Sequence, residues 1–258
     1  MHPTQKAIAI ATGLLVGVVA CLEVGYRIGR SRSKQQPGLF HEGIGTMEAA
    51  IFALLGLLLG FSFAGGMSRL ETRRQLIIRE ANAIGTAYLR LDLIPVSAQP
   101  DLRRLFREYI DVRLGAYGRL PDMEAADQEF ARAAQLQQKI WSGAVTAGRD
   151  DPTQNADRML LPALNEMIDI TTDRAVAIHT HLPPLIFILL VSVALLSGLV
   201  AGYAMARRQS RSLLHMLVYA AAVAVTVYAI VDLDNPRSGL IRLDAADNAL
   251  VKLRDSIL

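Results

Sequence analysis

The chain reads as an all-α, four-span membrane protein whose long second helix extends into an extramembrane helical bundle. Three features of its 258 residues carry that reading. Hydrophobic residues make up 52% of the chain and fall in blocks, with a mean hydropathy of +0.30, high for a soluble domain. Each block is about 20 residues long, the length a helix needs to cross a ~30 Å hydrocarbon core. The second block, MEAAIFALLGLLLGFSFAGG, passes without a breaker into MSRLETRRQLIIREANAIGTAYLRLDLIP, an arginine-rich stretch with helical periodicity.

Span one covers about Ala7 to Tyr26 and span two Met47 to Gly66. Span three runs from Pro183 or Pro184 to about Ala206, and span four from Leu213 to about Val231. Span one does not read as a cleaved signal: its start is weakly basic, and it ends in Glu23, Tyr26 and Arg27 where a cleavage site needs small residues. Spans three and four form a hairpin around the basic turn ARRQSRS. Thr46 can cap the start of span two, and Glu48 suits the positive end of its dipole. One helix is therefore expected from about Met47 to Leu93, roughly 70 Å long at 1.5 Å per residue.

Between spans two and three, helical periodicity continues and strand alternation is absent. Leu70, Arg74, Ile77, Ala81, Ile84, Tyr88 and Leu91 mark one helix face, which Pro95 and Pro100 end. Leu102, Leu105, Phe106, Tyr109, Ile110, Val112 and Arg113 mark a second helix. A third begins at Pro121 and Asp122 and runs through Phe130, Leu136, Ile140 and Trp141. After a loop at Asp150, Asp151 and Pro152, a fourth runs through Leu160, Leu164, Met167, Ile168 and Ile170 towards His181. The domains are thus 1–66 (two spans), 67–181 (helical domain), 182–232 (membrane hairpin) and 233–258, a polar tail with a short helix near Ala245 to Leu253.

Ala53, Gly56, Leu57, Gly60 and Ala64 recur at steps of three and four on span two, with Gly56 and Gly60 forming GLLLG. Such small residues let helix backbones approach, or leave room for an ion. Four helices of this size fold without an internal aqueous path, so the stripe is expected to line the axis of a homo-oligomer. Phe63, near the stripe's end, is the expected apolar constriction; Phe61 points elsewhere and packs sideways. Arg69, Arg73 and Arg74 follow, expected to meet lipid headgroups or to favour anions as a ring at the mouth.

Asp232 and Asp234 sit at the carboxyl end of span four, where carboxylates oppose the helix dipole and need partners. An even number of crossings puts them on the membrane side of Arg69, so a structural ion pair is expected. With Asn235 they supply too few ligands for calcium, and His179 and His181, two apart, do not share a helix face. No metal site is expected. No phosphate loop, nucleophile elbow or metal motif is present, so neither an enzyme nor a cofactor is expected. The lone Cys21 reads as a packing residue, and Glu23 lies near enough to the end of span one to reach the interface. The net charge of +3 comes from basic residues beside the spans, which argues for membrane lipids and against nucleic acid as partners.

RRQLIIREANAIGTAYLRLDLIP after span two, LNEMIDITTDR before span three, LPPLIF at its start and DLDNPRSGLIRL after span four together resemble the bestrophin-like integral membrane family of bacteria. The resemblance runs through nearly the whole chain. It implies a multi-pass protein of the bacterial inner membrane. Through the proposed relation to bestrophins, it also implies a pentamer passing small inorganic anions. Calcium gating is not carried over, because the ligand residues do not match.

Orientation has two readings. Arg27, Arg30, Arg32, Lys34, Arg207, Arg208 and Arg211 in the short loops place those loops in the cytoplasm and the helical domain outside. Bestrophin architecture, with Arg69, Arg73, Arg74 and Arg79, implies the reverse; the denser short loops weigh slightly more, towards the periplasm. The function expected from these features and the resemblance is an oligomeric, anion-preferring ion channel lined by span two. The alternative is a non-conducting scaffold or sensor whose helical domain binds a partner.

Overall fold

In the computed structural model, residues 3–35, 44–120, 122–149, 155–207, 212–237 and 239–257 are described. Four of the helices are long and apolar enough to cross a membrane, and the described residues contain no strand. The expected helix start at Pro121, the loop at Asp150, Asp151 and Pro152, and the arginines 208 and 211 of the basic turn lie outside the described residues. Two compact units form: residues 1–69 with 181–241, and residues 70–180 with 242–258.

The first unit holds α1 (Pro3–Gln35), the beginning of α2 (Ile44–Leu89), α6 (Pro184–Arg207) and α7 (Leu213–Asp234). α1 and α6 run parallel, since Val18 meets Gly198, Leu22 meets Gly202 and Gly29 meets Ala206. α1 also packs against α7. The tightest backbone approach is therefore between spans one and three, not within the hairpin of spans three and four. Glycine permits it: a Cβ on Gly202 would overlap the Leu22 carbonyl, and one on Gly25 the Leu199 carbonyl. Val18, Leu22, Leu190, Ala194, Ala220 and Val227 close the core around this contact. α6 and α7 are tied by a hydrogen bond between the Ser197 and Tyr219 hydroxyls at 2.6 Å, with Phe52 of α2 packed edge-on against the Tyr219 ring.

α2 is one unbroken helix, followed directly by a 3₁₀ turn over Arg90–Leu93. At 1.5 Å per residue it is about 69 Å long. Gly65 and Gly66 do not interrupt it, and Gly66 lies against Leu233 of α7.

The second unit joins the remainder of α2 to α3 (Gln99–Arg119), α4 (Met123–Arg149), a π-helical turn (Ala156–Leu160), α5 (Leu161–His179) and α8 (Asp244–Ser256). Ile77, Ala81, Ile84 and Tyr88 of α2 and Leu91 of the 3₁₀ turn are buried, as their spacing requires. Arg74, expected on that face, is exposed instead, and Arg73 takes the buried place. Phe106, Tyr109, Ile140, Leu160, Leu164 and Met167 fill the middle of the bundle. The residues expected as a polar tail, 233–258, divide between the two units. The reason is that α8 is amphipathic. Leu250 and Ile257 enter the core, Tyr88 donates its hydroxyl to the Ile257 carbonyl, and Arg254 pairs with Asp111.

Candidate functional site

The first unit presents two features of functional interest, and both begin on α2. The inward side of its apolar half is Leu55, Ser62 and Gly66, with Phe52 and Leu59 half-buried. The other side is bare. Ala53, Gly56, Leu57, Gly60, Phe63 and Ala64 are all exposed, and a Cβ on Gly56 or Gly60 would meet nothing within 4 Å. Only 17% of the most apolar window of α2 is buried, against 22%, 39% and 33% for the other three candidate spans, so α2 is the least covered by its own chain. Phe61 and Phe63 both project from the uncovered surface, at 69% and 43% exposure.

The second feature is a carboxylate junction where α2, α6 and α7 meet. Arg69 Nε donates to Asp234 Oδ1 at 3.0 Å. The backbone N–H of Leu182, just before α6, bonds both carboxylate oxygens at 3.2 Å, and His181 Nδ1 lies 3.2 Å from Oδ2. Asp234 sits unfavourably at the carboxyl end of its own helix but favourably at the amino end of α6, so the neighbouring dipole offsets the cost. Arg69 Nη2 is buried without a hydrogen-bond partner.

Asp232, expected in an ion pair, does something else. Its carboxylate accepts the N–H groups of Leu240 and Ile241 at 2.9–3.1 Å and folds the segment after α7 back on itself. Gly239 passes so close to that carboxylate that any side chain there would overlap it. This accounts for Asp232 and Gly239 in DLDNPRSGLIRL: one residue supplies the acceptor, and the other lets the backbone reach it.

The remaining arginines are also engaged. Arg73 is buried, and its guanidinium donates to the Ala177 and Thr180 carbonyls at 3.0 and 2.8 Å. There it caps the negative end of α5 and is not presented to a headgroup. Arg74 is exposed and 3.6 Å from Glu71. Of the three arginines expected to meet anions or headgroups, Arg69 is neutralised by Asp234 and Arg73 is withdrawn into the fold. Among the described residues no group of His, Cys, Asp and Glu could hold a metal.

The pairing at Asp234 is open to direct test. Asp234→Ala should lower thermal stability by about 1.5–3 kcal/mol, the worth of hydrogen bonds to a charged group. Exchanging Arg69 and Asp234 should recover part of that loss, because the ion pair returns while the Leu182 acceptor does not. No recovery on exchange would show that the Leu182 bonds alone stabilise the junction.

Sequence reasoning missed a buried polar network in the second unit. Glu80 of α2, fully buried, accepts from Arg113 of α3 at 2.6 Å and from Arg174 of α5. Arg113 also donates to the Tyr117 hydroxyl, and both guanidinium groups lie over the Tyr117 ring. Gln137 of α4 bonds the hydroxyls of Tyr109 and Thr171. Burial by itself pushes the Glu80 carboxyl up, but the charges and hydrogen bonds of Arg113 and Arg174 outweigh it and hold the group below its ordinary range. The tyrosine hydroxyls go the other way, pushed up first by burial. A signal for this network was available: Glu80 lies three residues after Ile77 and four before Ile84, on the face that the apolar spacing buries.

Against known proteins, the family model of the bestrophin-like domain matches residues 8–247. No curated protein and no solved structure matches the chain. The match runs from the first span through the whole helical bundle to the start of α8, and so takes in α2, the Asp234 junction and the Glu80 network. With four helices long and apolar enough to cross a bilayer, the chain belongs to the bestrophin-like family of membrane proteins.

Proposed function

We propose that the protein is an oligomeric membrane ion channel whose pore is lined by the uncovered face of α2. The observation that carries this reading is the bare stripe of Ala53, Gly56, Leu57, Gly60, Phe63 and Ala64 on the helix least covered by its own chain. Small residues allow several copies to bring such a stripe close to a common axis. The bulky Phe63 then narrows the path and gates it by dewetting. The preference for anions rests on the family resemblance, because Asp234 cancels the charge that Arg69 would bring to the mouth. For the same reason Arg69→Glu is a poor probe of selectivity: it would set two carboxylates against each other.

Purified protein in liposomes should pass chloride, and Phe63→Ala should raise the basal flux severalfold while leaving the oligomer intact. If wild type and Phe63→Ala both pass neither chloride nor small cations, the channel reading fails. The protein is then a membrane scaffold or sensor, for which the second unit, with a core of its own, would be the partner-binding part.

A further inference from the structure

The parallel packing of α1 on α6 has an electrostatic result at one end of the first unit. Gly25 and Gly29 of α1 sit against Leu199, Tyr203 and Ala206, so the carboxyl ends of both helices lie side by side. The end of α1 reads Arg27, Ile28, Gly29, Arg30, Ser31, Arg32, and α6 ends beside it at Arg207. Arg27 is 77% exposed and pairs with Glu23 at 2.8 Å. Arg30 and Arg32 are exposed and have no carboxylate partner among the described residues. Among the described residues, the acidic groups of this end are Glu23, already paired, and Glu48 near the start of α2. The charge is not diffuse, because α1 meets it with exposed apolar side chains: Ile28 and Val24 lie four and eight residues before Arg32, at 44% and 49% exposure.

We propose that this end of α1 is a binding site for anionic phospholipid, with the headgroup phosphate on Arg32, the acyl chains along Ile28 and Val24 on the turns before it, and Arg27 and Arg30, three apart on the other side of the helix, adding positive charge at the same end. Guanidinium groups match phosphate in shape and hold it with paired N–H bonds. Basic residues directly beside a membrane span attract anionic lipid by roughly fivefold each.

The test compares the full-length protein with R27Q/R30Q/R32Q in nanodiscs of phosphatidylcholine, with and without phosphatidylglycerol. Lipid retained after detergent extraction is read by native mass spectrometry, and stability by thermal unfolding. Wild type should retain phosphatidylglycerol in preference to phosphatidylcholine and melt higher in its presence. The triple glutamine variant should lose at least tenfold of that preference while melting as wild type does in phosphatidylcholine. The triple lysine variant, which keeps the charge, should retain most of the preference and guards against a folding defect in the glutamine variant. Equal retention by wild type and the glutamine variant would overturn the proposal. So would an equal rise in melting temperature on adding inorganic phosphate to phosphatidylcholine discs, since the site would then take the free ion and not the lipid.

Discussion

Glu80→Ala is expected to cost about 3–5 kcal/mol of stability, because it leaves the buried guanidinium groups of Arg113 and Arg174 without their counter-charge. Glu71→Ala is the control, since Glu71 pairs with Arg74 at half-exposed positions where an ion pair contributes less than about 1 kcal/mol. Thermal unfolding of the solubilised protein separates the two: similar small losses would mean that the second unit does not depend on the network. Replacing all three charged residues by leucine and methionine of similar volume should recover much of the loss, because no buried charge then lacks a partner. The pH dependence has a definite sign. The folded-state value of Glu80 lies below its ordinary 4.5. Its stabilisation is therefore complete above about that pH and disappears as pH falls through the lower folded value. Unfolding at pH 5 and above should show no contribution from Glu80 titration, and a steeper loss should set in under more acidic conditions. In the Glu80→Ala protein that component of the acid transition should be absent.

Gly202→Val is the second large effect. Its new side chain would overlap the Leu22 carbonyl of α1, and a rigid backbone atom cannot give way as a side-chain tip can. Overpacking a core costs about 1–3 kcal/mol where side chains can shift, so a loss of at least about 3 kcal/mol, with poor recovery of folded protein, is expected. Gly56→Ala adds a methyl that meets nothing in the chain and should leave the subunit's stability almost unchanged. Size-exclusion profiles and melting curves of the two variants make the comparison. If Gly56→Ala disturbs the oligomer while sparing the subunit, the bare stripe is a surface between copies.

The two glycine pairs show how far the sequence could be read. GLLLG was the conspicuous small-residue motif, yet a Cβ on either of its glycines, Gly56 or Gly60, would meet nothing within 4 Å. The pair that works, Gly25 and Gly202, comes from helices distant in sequence, and neither span read alone shows which glycine will meet a partner. The arginines divide similarly. That Asp234 needed a partner followed from its place at a helix end, and Arg69 was a candidate because the crossings put both on one side. That Asp232 would take backbone N–H groups instead depended on the turn at Gly239, which no charge pattern reveals. Arg73 and Arg74 are adjacent in sequence, and only the direction in which α5 ends decides that the first is buried on carbonyls and the second exposed.

The sequence by itself determined the four spans, the unbroken second helix, the helical character of the intervening region and the family. Each of these depends on local quantities: the length of apolar runs, the spacing of apolar residues, and the absence of a breaker between Gly66 and Arg69. Tertiary structure alone decided which helices pack, which charges cancel, that Glu80 is buried between two arginines, and that the last helix docks into the second unit. Those outcomes depend on which faces meet after folding. Buried charge is tolerated only where a matching group from another helix arrives within hydrogen-bonding distance.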